Sequence, residues 1–291
     1  MGTVIRPMAS RITRDDDGGA EIMIIPSLKM KNGAEIPALG FGTWQLTGDT
    51  CKRAVETAIG LGYRHIDTAE IYQNEQYIGE AIGGRPEPLF LASKVFYHHL
   101  QRDDVFGACL GSLHRLGTAL INLYLVHFPN SKVPMRETFE ALEGLMQMGL
   151  LEGIGVSNFT IKHLKEATVA TQIPILVNQL EFHPFLYQKE LLDYCKQHDI
   201  VLTAYSPLAR GLVYKNETIQ KIAQKHNKTP GQISLRWCVE KGCVVIPKAS
   251  SEAHIRENMA IFDFLLDEED HRQLDNLPQQ RLVNPPWGEL A

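Results

Sequence analysis

Eight short runs of the chain are apolar on both faces. They lie at Ala38-Leu39-Gly40, Arg64-His65-Ile66, Leu89-Phe90-Leu91-Ala92, Leu123-Tyr124-Leu125-Val126, Gly153-Ile154-Gly155-Val156, Leu176-Val177-Asn178-Gln179, Val201-Leu202-Thr203-Ala204 and Cys243-Val244-Val245-Ile246. Between them stand longer segments with helical spacing. Asp49 to Leu61 puts Ala54, Ala58 and Leu61 on one face, and Met135 to Met148 does the same with Phe139, Leu142 and Met146. Ile161–Ala170 and Gln188–His198 are also amphipathic. Thr229-Pro230-Gly231-Gln232 predicts a helix start with Thr as N-cap, Pro at the first position and Gln closing a capping box. Strands without a polar face, each followed by a helix, form a parallel sheet covered by helices.

Such a sheet is either open and doubly wound or closed into an eightfold barrel. The open form needs Gly-x-Gly-x-x-Gly after its first strand, and Gly40-Phe41-Gly42-Thr43-Trp44-Gln45 lacks the third glycine. Gly83-Gly84 reads as the end of a helix. A length of 291 residues suits one barrel, and no linker separates two halves. The expectation is a (β/α)8 TIM barrel over residues 27–291, preceded by a flexible leader over 1–26. Asn32-Gly33, between Leu28-Lys29-Met30 and Glu35-Ile36-Pro37, predicts an N-terminal β-hairpin with a type I′ turn.

A net charge of −5 argues against nucleic-acid or anionic-membrane partners. No apolar run reaches bilayer length. The leader carries Arg6, Arg11 and Arg14, but Asp15-Asp16-Asp17 and Glu21 argue against a transit peptide. The five scattered cysteines include no Cys-x-x-Cys pair and read as reduced, buried thiols of a cytoplasmic protein. His98-His99 lacks metal-ligand spacing, so no metal is expected.

In a barrel of this kind the active site forms at the C-terminal ends of the strands. Those ends hold Asp67, Lys94, His127, Ser157, Gln179 and Tyr205, with Tyr72 on the loop after Asp67. The set suits carbonyl reduction. Hydride delivered to a carbonyl leaves an alkoxide that needs a proton. Tyr72 is the candidate acid, Lys94 is expected to lower its pKa, Asp67 to fix the lysine, and His127 to donate to the developing oxyanion. Singly, each has a bland reading as an ion pair, a packed ring or a satisfied histidine. Their joint placement on neighbouring strand ends favours chemistry.

Gly62-Tyr63-Arg64-His65-Ile66-Asp67-Thr68-Ala69, running on to Tyr72-Gln73-Asn74-Glu75, resembles the first signature of the aldo-keto reductases. Leu123 to Pro129, Gly155-Val156-Ser157-Asn158-Phe159, Asn178-Gln179, Ala204 to Leu208 and Val245-Ile246-Pro247-Lys248 extend the likeness over residues 27 to 288 in order and spacing. The resemblance implies Asp67, Tyr72, Lys94 and His127 as a catalytic tetrad. It implies Gly42, Thr43, Ser157, Asn158, Gln179, Tyr205, Ser206 and Leu208 along the nicotinamide and pyrophosphate of NADPH. Lys248, Ser250, Ser251, His254, Glu257 and Asn258 would meet its adenosine end, and Trp44, Phe96 and Phe128 the substrate.

Two departures qualify this. Many members have arginine where His254 stands, and an imidazole offers no fork to a 2′-phosphate, so some use of NADH is expected. Phe96 and Phe128 replace tryptophans common in mammalian members, losing a donor. Short loops after the fourth and seventh strands and a tail ending Arg281-Leu282-Val283-Asn284-Pro285-Pro286 are similar to compact microbial diketo-gluconate and methylglyoxal reductases. The resemblance therefore implies a monomer that reduces small or sugar-derived carbonyls, 2-ketoaldehydes or diketo-gluconate. The alternatives are a sugar-phosphate or polyol reductase, with Lys132 and Arg210 as phosphate contacts, and a non-catalytic NADPH-binding barrel subunit.

Overall fold

A computed structural model describes residues 12–13, 22–23, 25–85 and 88–284. Within the predicted leader, β1 (Ile12–Thr13) pairs antiparallel with β2 (Ile22–Met23). The aspartates at 15–17, the arginines at 6, 11 and 14, and the prolines at 285 and 286 lie outside the described residues.

The hairpin forms from β3 (Ser27–Lys29) and β4 (Glu35–Pro37), but its turn differs from the expected one. Met30 N donates to Ala34 O (2.8 Å) and Gly33 N to Met30 O (2.9 Å), so three residues form the loop. A type I′ turn needs positive φ at both Asn32 and Gly33, and only Gly33 has it, at +90°. The loop is a type I turn closed by a left-handed glycine.

Eight parallel strands follow: β5 (Phe41–Gly42), β6 (His65–Asp67), β7 (Phe90–Val95), β8 (Leu123–Val126), β9 (Ile154–Ser157), β10 (Ile175–Glu181), β11 (Val201–Tyr205) and β12 (Val244–Val245). They pair in chain order. The last strand meets the first through Gly40 N to Val245 O (2.8 Å), Val245 N to Ala38 O (2.9 Å) and Gly42 N to Pro247 O (3.1 Å), which closes a (β/α)8 barrel. The first strand runs later than expected because closure engages Ala38 to Gly42 backbone-to-backbone. A Cβ on Gly42 would lie 2.5 Å from Ile246 O, so only glycine fits at that seam.

The outer layer is α1 (Gly48–Leu61), α2 (Glu75–Ile82), α3 (Arg102–Leu116), α4 (Met135–Gln147), α5 (Ile161–Ala170), α6 (Lys189–Gln197), α7 (Glu217–His226), α8 (Pro230–Glu240), α9 (Glu252–Met259) and α10 (Glu268–Asp275). The capping box at Thr229 is present, with Gln232 N on its hydroxyl. Among the described residues no helix is long and apolar enough to cross a membrane. All five cysteines are free and buried, and burial raises the Cys51 thiol to about 11 and those of Cys109 and Cys195 to about 12.

Alternation along the strands places the site. Side chains two apart share a face, and the inward positions change from apolar at the bottom to polar at the top. Phe90 and Ala92 lead to Lys94, Leu123 and Leu125 to His127, and Val177 to Gln179 and Glu181. Met30 and Ile36 of the hairpin join the same inner apolar cluster and plug the barrel floor. Outward residues such as Tyr124, Val126, Ile154 and Val156 form the larger core beneath the helices.

Candidate active site

At the top of the barrel the inward polar side chains meet. Lys94, fully buried, donates from Nζ to Asp67 Oδ1 (2.6 Å) and to Thr68 O (2.6 Å). Gln179 Nε2 donates to the other carboxylate oxygen, Oδ2, at 2.8 Å. Both Asp67 oxygens are thus satisfied by side chains from β7 and β10, which a buried charge requires. Burial pulls the Lys94 pKa down, and Asp67 opposes it.

Tyr72 ends a single helical turn, Glu70–Tyr72, and lies above this pair. That turn is held from below. Thr68 Oγ1 donates to Asn74 Oδ1 (2.7 Å), and Asn74 Nδ2 donates to Thr43 O (2.9 Å) and Leu46 O (3.0 Å). Glu70 Oε2 accepts from Phe96 N (3.0 Å), while its other oxygen contacts His99. Lys94 Nζ stands 5.3 Å from the centre of the Tyr72 ring. The His127 ring meets Tyr72 edge-on at 5.7 Å.

Burial outweighs the shift that Lys94 alone would give Tyr72. Lys94 was expected to lower the Tyr72 pKa. Burial instead raises it well above the usual value, and Asp67 and Tyr205 push the same way. The physical reason is that the ammonium sits over the ring face and its short bonds go to Asp67 and Thr68. Tyr72 is therefore a protonated phenol at neutral pH. His127 is also neutral, since burial first and Lys94 second hold its pKa well below the ordinary value. Among the described residues its Nδ1 has no hydrogen-bond partner.

These groups open into a cleft of about 1040 Å³. Gly42, Thr43, Trp44, Asp67, Tyr72, Phe96, His127, Phe128, Asn158, Gln179, Tyr205, Ser206, Leu208 and Lys248 all line it. Lys94 lies behind Asp67. Ser157 lies behind Gln179, with its Oγ donating to Gln179 O (2.9 Å). Asn158 has φ of +63°, which turns its amide so that Nδ2 donates to His127 O (3.0 Å) and Oδ1 accepts from Tyr205 OH (2.8 Å). Trp44 is 42% exposed at the mouth, with the Arg210 guanidinium 5.3 Å from its ring centre.

Ser250, Ser251, His254, Glu257 and Asn258 do not line the cleft. Ser251 caps α9 by accepting from His254 N (3.4 Å), and Ser250 and His254 are exposed. Glu257 Oε1 accepts from Thr229 Oγ1 (2.7 Å), and Asn258 is buried. Lys248 is exposed and has no ion-pair partner among the described residues, whereas Arg256 is paired with Glu252 at 2.8 Å. The donor set fits a dinucleotide. An aromatic face and two side-chain amides sit at the chemical end, and a free cation and a helix N-terminus at the other.

Sequence reasoning missed several residues that build this site. Ile71, Tyr214 and the segment Leu282, Val283 and Asn284 also line the cleft. Glu75, buried, accepts from Ser93 Oγ (2.6 Å) and pairs with Arg115 (2.7 Å) beneath the Tyr72 turn. Glu181 is buried two residues past Gln179, and the period of two along β10 could have found it.

The comparisons agree with this geometry. The family model described as "Aldo/keto reductase family" matches residues 38–278. The chain is 43% identical over 268 residues to the glyoxal reductase of Bacillus subtilis (strain 168), covering 91% of this chain and 97% of that one. It is 38% identical over 269 residues to methylglyoxal reductase DkgA of Yersinia pestis, covering 89% and 95%. A crystal structure of an aldo-keto reductase complexed with NADPH superposes with a TM-score of 0.85 at 35% identity, covering 90% of each chain. Match, coverage and fold converge, and the chain belongs to the aldo/keto reductase family of oxidoreductases that act on carbonyl groups.

Proposed function

We propose that this chain reduces small aldehydes and 2-ketoaldehydes such as glyoxal and methylglyoxal with NADPH, and that Tyr72 delivers the proton. The observation that carries the reading is the buried Asp67–Lys94 pair beneath Tyr72, with a neutral His127 beside it, at the floor of an open cleft. Glyoxal and methylglyoxal are the substrates in the names of two relatives, and 2,5-diketo-D-gluconic acid is named in the description of a similar solved structure. The reading places the enzyme in the cytoplasm as a monomer.

When bound, the reduced nicotinamide supplies the hydride. Tyr205 would offer that ring an aromatic face, and Asn158 and Gln179 would hold its carboxamide. The substrate carbonyl oxygen accepts from Tyr72 OH and from the one N–H of neutral His127. As the oxygen gains charge it becomes more basic than a phenolate, so the Tyr72 proton moves to it despite the raised pKa. Lys94 faces the ring that is left negative, and Asp67 keeps Lys94 charged in its buried place. Trp44, Phe96 and Phe128 give the substrate an apolar wall.

Oxidation of NADPH and of NADH is measured across glyoxal, methylglyoxal, diketo-gluconate, sugars and sugar phosphates. The expected order puts 2-ketoaldehydes first. A preference for sugar phosphates transfers the assignment to the rival reading, in which Arg210 and Lys132 take the phosphate. Tyr72→Phe should keep NADPH affinity and lose turnover. If it reduces methylglyoxal as fast as the parent, Tyr72 is not the acid.

A further inference from the structure

The inward face of β10 carries one group that the reduction does not use. Glu181 is fully buried, and its two carboxylate oxygens divide between two consecutive backbone amides. Leu282 N donates to Oε1 at 2.9 Å and Val283 N to Oε2 at 3.0 Å. His183 Nε2 lies 3.1 Å from Oε1, and Arg281 NH1 4.0 Å from Oε2. A second set of contacts brings the same segment in. Gln280 N donates to Phe185 O (2.5 Å), and the Gln279 side chain bridges Tyr187 N (2.5 Å) and Pro184 O (3.3 Å). Leu282, Val283 and Asn284 then line the cleft.

A buried carboxylate is costly unless its lone pairs are filled, and here the tail's N–H groups fill two of them. The cost of freeing the tail is therefore the cost of leaving Glu181 unsatisfied inside the barrel. We propose that Glu181 is a positioning residue that fastens the segment 281–284 as a wall of the substrate cleft, so that substrate affinity is set through this carboxylate. The proposal rests on reading the cleft as the carbonyl site. Glu181 does not reach the reacting atoms. It shares the β10 face with Gln179, so the wall is registered to the strand that also holds Asp67.

Two variants test it from opposite ends of the bond. Glu181→Gln keeps shape but turns an acceptor into an N–H that faces another N–H. Val283→Pro removes one tail donor but also alters a side chain of the cleft, so Val283→Ala, which keeps the donor, is measured beside it and should leave KM near that of the parent. Losing one charge-assisted bond is expected to raise the KM for methylglyoxal about tenfold in either variant, with kcat within about threefold of the parent. NADPH affinity stays unchanged. The combined variant should show no larger KM than the more affected single one, and the Leu282 amide should exchange hydrogen at least about tenfold faster in both.

An unchanged KM with a freed tail overturns the proposal, because the wall then plays no part in binding. A KM that rises in Glu181→Gln but not in Val283→Pro also overturns it, since Glu181 would then act through the barrel. If Glu181→Gln does not fold, Val283→Pro carries the test alone. If the parent turns over no carbonyl, the reductase reading fails, and amide exchange still reads the fastening separately: unaltered protection in the variants overturns it.

Discussion

Replacing Lys94 with methionine separates what the Asp67–Lys94 pair does for stability from what it does for chemistry. Lys94 is fully buried and makes both of its bonds at 2.6 Å, so the substitution removes a charge from the interior and strands another. Asp67 would keep only the Gln179 amide, on Oδ2, and its Oδ1 would face no donor. Breaking one side of a buried pair costs about 3–5 kcal/mol. For a domain of this size that corresponds to a fall in Tm of roughly 6–20 °C. The double variant Lys94→Met/Asp67→Asn removes both charges and should recover most of the loss, to within about 1–2 kcal/mol of the parent. Both are measured by urea unfolding, with NADPH oxidation followed in parallel. The expected outcome is a double variant that is stable and inactive. A Lys94→Met protein destabilised by less than about 1 kcal/mol would refute the argument that the pair is desolvated and mutually dependent. So would a double variant as unstable as the single one.

Burial holds the His65 pKa down to about 4, so the folded protein refuses a proton that the unfolded chain accepts below about 6.5. The stability it contributes is complete above 6.5 and is lost as pH falls towards 4, a change of about 3 kcal/mol. His65→Leu should flatten the acid limb of the unfolding curve by about that amount, and an unaltered slope counts against the burial argument. His254→Arg should favour NADPH over NADH by roughly tenfold, read as the ratio of dissociation constants. An unchanged ratio would mean that Lys248 and the start of α9 already provide the discrimination. Gly42→Ala should destabilise the barrel by about 2 kcal/mol or more, since its Cβ meets the Ile246 carbonyl at 2.5 Å. Wild-type stability in that variant would show that the seam is loose.

Much of the architecture was legible because the barrel repeats one unit. Apolar runs marked the strands, and the residue ending each run marked the mouth, which is why Asp67, Lys94, His127, Gln179 and Tyr205 could be placed before any geometry was known. Elements whose pattern is broken were harder to read. The inner face of α2 begins with a buried charge, Glu75, which only pairs once Arg115 and Ser93 arrive from α3 and β7. The buried stripe of α3 includes a polar Ser112, while Leu110 lies exposed off it. The net direction of the Tyr72 shift is set by burial, which no local sequence pattern shows. The fastening of residues 282 and 283 by Glu181 joins positions about 100 apart, and no local pattern encodes a bond at that range.

The seam between Leu39 and Val245 has a consequence for how the chain is made. The strand at Phe41 to Gly42 leaves the ribosome before the rest of the sheet, while its partner follows about 200 residues later, roughly 10–40 s at ordinary rates of translation. Throughout that interval both edges of the growing sheet offer unpaired N–H and C=O groups, and the hairpin that plugs the floor has an unfinished cylinder above it. Synthesis of this protein therefore includes a window in which a nearly complete sheet is sticky along two edges. Only the arrival of Val244 and Val245 joins those edges to each other and ends it.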